Sequence, residues 1–372
     1  MSKEIMSFKK LNSQPERVVS AKDYTLTLEN GKLLTDTMSG LWTTPLGYSN
    51  DLIKAAMTGQ LNKLPYASNF SDCQSVTTEN YAIELCKKTN MNRVYFTNSG
   101  STAVETAIKL TGRNVAICGE HSYHGSTILS ANVSDQGINK FWGIQNPMSI
   151  YKFERADDLF ANCKGLMDLS FVIIEPVVGA GGVYEWEQSC WDVLEEYQKG
   201  GGYVILDETV TGFGKLGTMF GFEKYNFKPD ILVLGKAITN GYFPMGACLI
   251  NERVEKEHKM FNHGFTFSGH PVGSSAGYVM LKELGARFEW LLNHDRFNIR
   301  LQNVKEHRQI GCMGAIDFET PKQTLTFLKK MRKEGYIMED ASENMTTAVY
   351  CLPYIMTQED YHNFMETIQE CI

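Results

Sequence analysis

Two rhythms of hydrophobic and polar positions alternate along the chain. Short apolar runs recur at Arg93–Thr97, Val115–Cys118, Phe171–Glu175, Tyr203–Leu206, Ile231–Leu234 and Met245–Ile250. Between them lie stretches of helical spacing. Ser189–Lys199 is one, with Trp191, Leu194 and Tyr197 on one face and Gly200, Gly201 and Gly202 as its stop signal. Buried strands alternating with helices predict a mostly parallel sheet in an α/β fold, with Met245–Ile250 near the sheet edge. Ahead of this region, Tyr24–Leu34 alternates around Asn30-Gly31, a hairpin signal. Behind it, Gly273–Leu284 runs from small residues into a helix, and Arg308–Phe318 and Val349–Ile355 are further apolar stretches. No repeat, low-complexity tract or linker interrupts the pattern.

Two of the runs end on charge: Asp207 follows Tyr203–Leu206, and Lys236 lies just beyond Ile231–Leu234. Ligands of open α/β sheets sit at the carboxyl ends of strands, so both side chains are expected in one crevice. Taken alone, the two residues fit a buried ion pair as well as a chemical site. Other strand ends add candidates. After Arg93–Thr97, Gly100 and Ser101 open a helix whose free N–H groups suit an anion, although an ordinary N-cap explains them equally. After Val115–Cys118 comes His121-Ser-Tyr-His124-Gly; its H-x-x-H spacing lacks further ligands for a metal, and Tyr123 is a flat residue on a strand-end loop. Trp42, beside Gly40 and Pro45, is either a packed loop residue or a pocket wall.

Composition narrows the class. The 372 residues are 43% hydrophobic and 21% charged, ordinary for a globular enzyme with more than one core. A net charge of −7 disfavours nucleic acid or anionic membrane as the main partner. Nine cysteines without a C-x-x-C pair suit reduced thiols rather than a disulfide framework or a zinc site. With no signal-like N-terminus and no apolar run of membrane-spanning length, a cytoplasmic location is expected.

Asp207-Glu208-Thr209-Val210-Thr211-Gly212-Phe213-Gly214-Lys215, followed by Gly235-Lys236, resembles the signature of the class III (ω-amino acid type) pyridoxal-phosphate aminotransferases. Phe171–Gly182, Tyr123-His124-Gly125 and His263–Pro271 resemble other elements of that family. The resemblance implies a fold-type I transferase: a seven-stranded, mostly parallel sheet domain plus a smaller α+β domain built from both chain ends. The corresponding segments are 1–45 and 286–372 for the small domain and 46–285 for the large one. It further implies that Lys236 carries pyridoxal 5′-phosphate as a Schiff base and acts as general base, and that Asp207 holds the ring nitrogen protonated. Gly100 and Ser101 would hold the phosphate, and Tyr123 and Thr209 would flank the ring. Thr266 would reach the phosphate of a neighbouring subunit, making the protein a homodimer with shared sites. Gly264, Trp42 and Tyr123 would line the substrate pocket. The implied reaction is ping-pong transfer of an amino group from an amine or amino acid to a keto or aldehyde acceptor. An epimerase or aminomutase, or a binding protein that kept the fold, are the rivals.

Within the family the signals divide. Ser99–Glu105 and the GAIDFETP and VYCLPYI stretches resemble the diaminopelargonate (biotin-pathway) aminotransferases. Yet Val349-Tyr350 stands where α-amino acid enzymes carry an arginine, and Met338 stands where a keto-acid-binding arginine is expected. Arg308 is the nearest alternative carboxylate partner, against the plainer reading of a solvated surface arginine.

Overall fold

Ile231–Leu234 and Tyr203–Asp207 are buried at every position. Strands buried on both faces read as unbroken apolar runs, and that is how the centre of this molecule is built. The computed structural model describes residues 15–70, 72–135, 148–258, 260–292, 301–341 and 345–372. The first fourteen residues of the expected 1–45 segment thus lie outside the described residues, as do 293–300 and 342–344 of the C-terminal segment.

In chain order the strands are β1 (Val18–Lys22), β2 (Thr25–Leu28), β3 (Leu33–Asp36), β4 (Arg93–Thr97), β5 (Val115–Gly119), β6 (Ser149–Phe153), β7 (Ser170–Ile174), β8 (Val177–Val178) and β9 (Tyr184–Glu185). They continue with β10 (Tyr203–Asp207), β11 (Ile231–Leu234), β12 (Gly246–Ile250), β13 (Glu306–Ile310), β14 (Met313–Asp317), β15 (Tyr336–Ile337), β16 (Glu339–Ala341) and β17 (Thr347–Cys351). Seven form the central sheet in the order β4-β12-β11-β10-β7-β5-β6. All pairings are parallel except those of β12, which runs antiparallel to both β11 and β4.

Helices cover both faces. The helix Gly100–Thr111 presses Ala103, Val104, Ala107 and Ile108 onto one side, and Gln188–Lys199 presses Cys190, Trp191, Leu194 and Tyr197 onto the other. Each large side chain buried in this way stabilises the fold by about 1.5–3 kcal/mol. The second helix begins at Gln188, a residue ahead of the expected start, and its C-cap is Gly200.

The strand of Met245–Ile250 lies near the sheet edge, as expected: it is inserted between β11 and the edge strand β4. Gly246 makes the insertion feasible, since a Cβ there would lie 2.2 Å from the Ser99 carbonyl oxygen. The stretch Arg308–Phe318 falls across the antiparallel pair β13–β14, folded back at Gly311, whose φ is +58°.

The remaining strands form two small sheets, β1-β2-β3-β15 and β13-β14-β17-β16, and a two-stranded ribbon β8-β9. The hairpin β2–β3 turns at Asn30-Gly31, and β15, from the far end of the chain, pairs in parallel with β3. Both chain ends therefore meet in one sheet. No helix among the described residues is long and apolar enough to cross a membrane.

Candidate active site

The parallel pairing of β10 with β11 sets Asp207 opposite Val233, so Lys236 follows a few residues beyond the same level of the sheet. Lys236 opens a short 3₁₀ turn with φ +45°, a conformation that costs a non-glycine residue about 1–2 kcal/mol. Such strain is held by surroundings that overdetermine it. Here Asn240, fully buried at the end of the turn, accepts the Leu46 N–H at 2.9 Å and donates to the Gly47 carbonyl at 2.8 Å. Tyr81 adds a hydroxyl bond to the Ile238 carbonyl at 3.0 Å. Burial pushes the Lys236 amine down to about 8, with Glu175 and Asp207 opposing the shift.

Asp207 is buried and fixed from two sides. Its Oδ2 lies 2.8 Å from His124 Nδ1, and its Oδ1 accepts the Thr209 N–H at 2.9 Å. His124 is as deeply buried, and its Nε2 has no hydrogen-bond partner among the described residues. A third buried carboxylate, Glu175, accepts the N–H groups of Tyr123 at 3.0 Å and Gly179 at 3.1 Å, which ties the Tyr123 loop to the end of β7. Burial, opposed by His124 and reinforced by Asp207, raises the Glu175 pKa.

The loop after β4 meets this group. Ser99 and Thr102 cap the helix Gly100–Thr111 reciprocally, leaving the N–H groups of Gly100 and Ser101 for an anion. Gly100 packs on Thr209, where an added Cβ would lie 2.8 Å from Thr209 Cγ2. Gly125, at φ +126°, comes so near Ser101 that a Cβ would sit 2.3 Å from its Oγ.

Trp42 closes the group from the small sheets. Ser39, Gly40, Leu41 and Trp42 all have positive φ and form one left-handed helical turn, bonded Trp42 N–H to Met38 carbonyl and Thr43 N–H to Ser39 carbonyl at 2.7 Å each. L-residues resist this hand, so outside bonds must hold it. Asp36 accepts the N–H groups of Met38 at 2.9 Å and Gly40 at 2.6 Å, and also the Tyr48 hydroxyl. The result places the Trp42 ring 4.9 Å from Lys236 Nζ.

Lys236, Asp207, Thr209, Gly100, Ser101, Tyr123 and Trp42 are thus neighbours through a continuous chain of contacts. Thr266 and Gly264 lie on a different loop: Thr266 is exposed and offers its carbonyl to the Tyr66 hydroxyl at 2.7 Å, and Gly264 abuts Phe70. Arg308 requires correction. It is neither a solvated cation nor open to a carboxylate, because Asp317 takes Nη1 and Nη2 at 2.6 and 2.9 Å while the Gly182 carbonyl takes Nε and Nη2. Its guanidinium also stacks 4.2 Å above Tyr184. His124 and Glu175 escaped sequence reasoning. The signal for His124 was a buried aspartate in need of a partner, obscured because its H-x-x-H neighbour invited a metal reading. The two histidines go separate ways: His121 is exposed near Glu120 and Glu154, and His124 is buried on Asp207.

The residues present fit pyridoxal phosphate. Among the described residues, buried polar atoms at His124 Nε2, Thr209 Oγ1, Asn98 Oδ1 and Trp42 Nε1 have no hydrogen-bond partner, and glycines clear space beside the helix N-terminus. A sheet of this strand order, with a strained lysine past one strand and a histidine-backed aspartate at the next, defines a fold-type I pyridoxal-phosphate protein. The profile of aminotransferase class III matches residues 9–372, and the chain belongs to that family.

A γ-aminobutyrate transaminase from Solanum lycopersicum is 34% identical over 300 residues, 68% of this chain and 57% of that protein. A vanillin aminotransferase from Capsicum annuum is 34% identical over 297 residues, 68% of this chain and 64% of that one. The chain therefore spans about three fifths of the length of the curated relatives it matches. Among solved structures, an amine transaminase from an uncultivated Pseudomonas species, in its pyridoxal-phosphate-bound form, matches with a TM-score of 0.90 at 25% identity, covering 100% of this chain and 98% of that one. A transaminase from the marine bacterium Virgibacillus shares the fold at a TM-score of 0.89 and 22% identity, covering 99% and 96%.

Proposed function

We propose that the chain is a pyridoxal-phosphate aminotransferase that moves an amino group from an amine or ω-amino donor to a keto or aldehyde acceptor. The observation that carries this is the pairing of a depressed-pKa Lys236 with Asp207 backed by His124 at adjacent strand ends. Bound in this site, the cofactor supplies an electron sink for the charge left when the donor's amino-bearing carbon loses its proton. The chain's own residues do the rest. Gly100 and Ser101 N–H groups anchor the phosphate. Asp207 would hold the ring nitrogen, and His124 with the Thr209 N–H keeps that carboxylate aimed. Lys236 Nζ, partly unprotonated near neutral pH, would hold the cofactor and, as general base, would remove and redeliver the donor's proton. Trp42 and Tyr123 wall the reacting atoms.

Support for an amine or ω-amino donor comes from the arginines. Met338 is buried where an arginine was expected, and Arg308 is spent on Asp317. The names of the relatives, γ-aminobutyrate, vanillin and amine transaminases, point the same way. A shared-site homodimer is part of the proposal, supported by the exposed Thr266 loop with Phe267 and Phe70 beside it. So is a cytoplasmic location, supported by nine unpaired cysteines.

The test loads the purified chain with pyridoxal phosphate, reduces it with borohydride and maps the adduct. The loaded chain is then titrated with single donors: S-adenosylmethionine, lysine, ω-amino acids, diamines and simple amines. An adduct on Lys236 and a keto product from one amine or ω-amino donor are expected. A labelled residue other than Lys236 would sink the site, and a donor that exchanges its proton without yielding a keto product would make the protein an isomerase.

A further inference from the structure

Two cysteines that amino transfer does not use meet near the site, and one of them, Cys351, lies within electrostatic reach of Lys236. Cys312 sits in the turn between β13 and β14, and Cys351 ends β17. Met313 pairs with Cys351, and the Leu352 N–H donates to the Cys312 carbonyl at 2.9 Å. That register brings the two Sγ atoms to 3.7 Å. From van der Waals contact, the sulfurs need to approach by only about 1.7 Å to reach disulfide length.

Their surroundings are polarised. Lys215 is fully buried, and among the described residues its ammonium donates only to the Gly212 carbonyl, at 3.2 Å; its own carbonyl accepts the Cys312 N–H at 3.1 Å. A buried ammonium with a single carbonyl acceptor favours an anion beside it. Burial opposes ionisation of Cys351, but the Cys312 S–H, the Lys215 charge and the Ser39 hydroxyl outweigh it and bring its thiol below the ordinary value. The hydrogen bond to Cys351 and burial hold the Cys312 proton in place. Burial also lowers the Lys215 pKa, so the proton Cys351 gives up stays loosely held. One sulfur is thus prepared to attack and the other to resolve.

We propose that Cys312 and Cys351 form a peroxide-reactive thiol pair, with Cys351 as the attacking thiolate, Cys312 as the resolving thiol and Lys215 as the proton holder. The Cys351 thiolate attacks one oxygen of hydrogen peroxide; the S–O bond forms, the O–O bond breaks, and the departing hydroxide takes the Lys215 proton and leaves as water. The Cys312 sulfur then attacks Cys351 sulfenic acid; the S–S bond forms, the S–O bond breaks, and the hydroxide leaves as water with the Cys312 proton. Two thiols are oxidised and one peroxide becomes two waters. Cys312 keeps 7% of its surface exposed and Cys351 1%, so a water-sized oxidant is the class of reagent that fits. Bulky thiol reagents should find the exposed Cys73 instead.

The test treats the full-length chain, in a Cys73→Ser background, with hydrogen peroxide, then denatures it in the presence of an alkylating agent and maps it by mass spectrometry. A dithiothreitol-reversible link between Cys312 and Cys351 is expected, with the loss of two hydrogens. Cys312→Ser should abolish the link and leave Cys351 as a sulfenic acid that dimedone captures. Cys351→Ser should give neither product, and Lys215→Met should slow the link by about tenfold or more. Complete alkylation of Cys312 and Cys351 after peroxide, or a sulfenic acid on Cys312 in Cys351→Ser, would overturn the proposal. If a variant fails to fold by near-ultraviolet circular dichroism, the map of the Cys73→Ser parent alone decides between the linked and the fully alkylated pair.

Discussion

At Lys236 a strained backbone and a desolvated amine act together. With the amine pushed down to about 8, its free form grows as pH rises through that value, against 10.5 for an ordinary lysine. Covalent loading of the cofactor-free chain by pyridoxal phosphate should therefore accelerate from pH 6 upward and level off above about 8. Stopped-flow absorbance with borohydride trapping reads this directly. A rate still climbing at pH 10 would mean the amine is not desolvated. A second prediction concerns the contact between Gly100 and Thr209. Gly100→Ala should weaken cofactor affinity by about tenfold or more, because its Cβ would lie 2.8 Å from Thr209 Cγ2. Adding Thr209→Ser removes that methyl and should restore most of the affinity, measured by equilibrium dialysis. Residue by residue, the placing of Asp207 and Lys236 at neighbouring strand ends was readable in the sequence because each follows closely on an apolar run. His124 was not, because the need of one buried charge for a partner on another strand is a long-range fact that local spacing does not encode.

Among the elements, the ribbon β8-β9 and the hairpin β13–β14 are joined by one side chain. Arg308, from β13, reaches Asp317 at the end of β14, the Gly182 carbonyl in the ribbon turn and the Tyr184 ring. Both partners of the ion pair have side chains 13% exposed. Arg308→Met leaves Asp317 without its counter-ion and should cost about 3–5 kcal/mol in denaturant unfolding. The KM for the amino donor should stay within about twofold, whereas a substrate-binding arginine would raise it far more. Most elements of the central sheet announced themselves as apolar runs. β6 did not, since Ser149–Phe153 alternates exposed and half-buried positions as a sheet edge does. Nor did the place of β12, because its residues dictate that it is a buried strand and not which two strands it separates. The turn at Gly311 was hidden inside a run whose hydrophobicity continues through the chain reversal.

For the molecule as a whole, the exposed aromatic surface has a clear expectation attached. Phe70 and Phe267 are 67% and 58% exposed, and Tyr66 packs on Phe267 with ring centroids 6.0 Å apart. If this face joins two subunits, Phe267→Asp should shift the chain from dimer to monomer in analytical ultracentrifugation, and cofactor affinity should fall with it as Thr266 leaves the neighbouring site. A variant that stays dimeric with unchanged affinity would place the interface elsewhere.

The antiparallel strand between β4 and β11 also sets a timetable. A chain emerging from the ribosome can pair β5, β6, β7, β10 and β11 as each appears, but β4, made before them, has no neighbour until Gly246–Ile250 has been synthesised. Closing so long a loop is slow, so β4 stays without a strand partner through most of translation. A nascent chain arrested after Gly241 already carries Asp207 and Lys236, yet the strand that leads into Gly100 and Ser101 is still unpaired in it. Competence to take up a phosphorylated ligand would then be gained late and in a single step. A truncated or stalled product would be unable to withdraw cofactor from the cell.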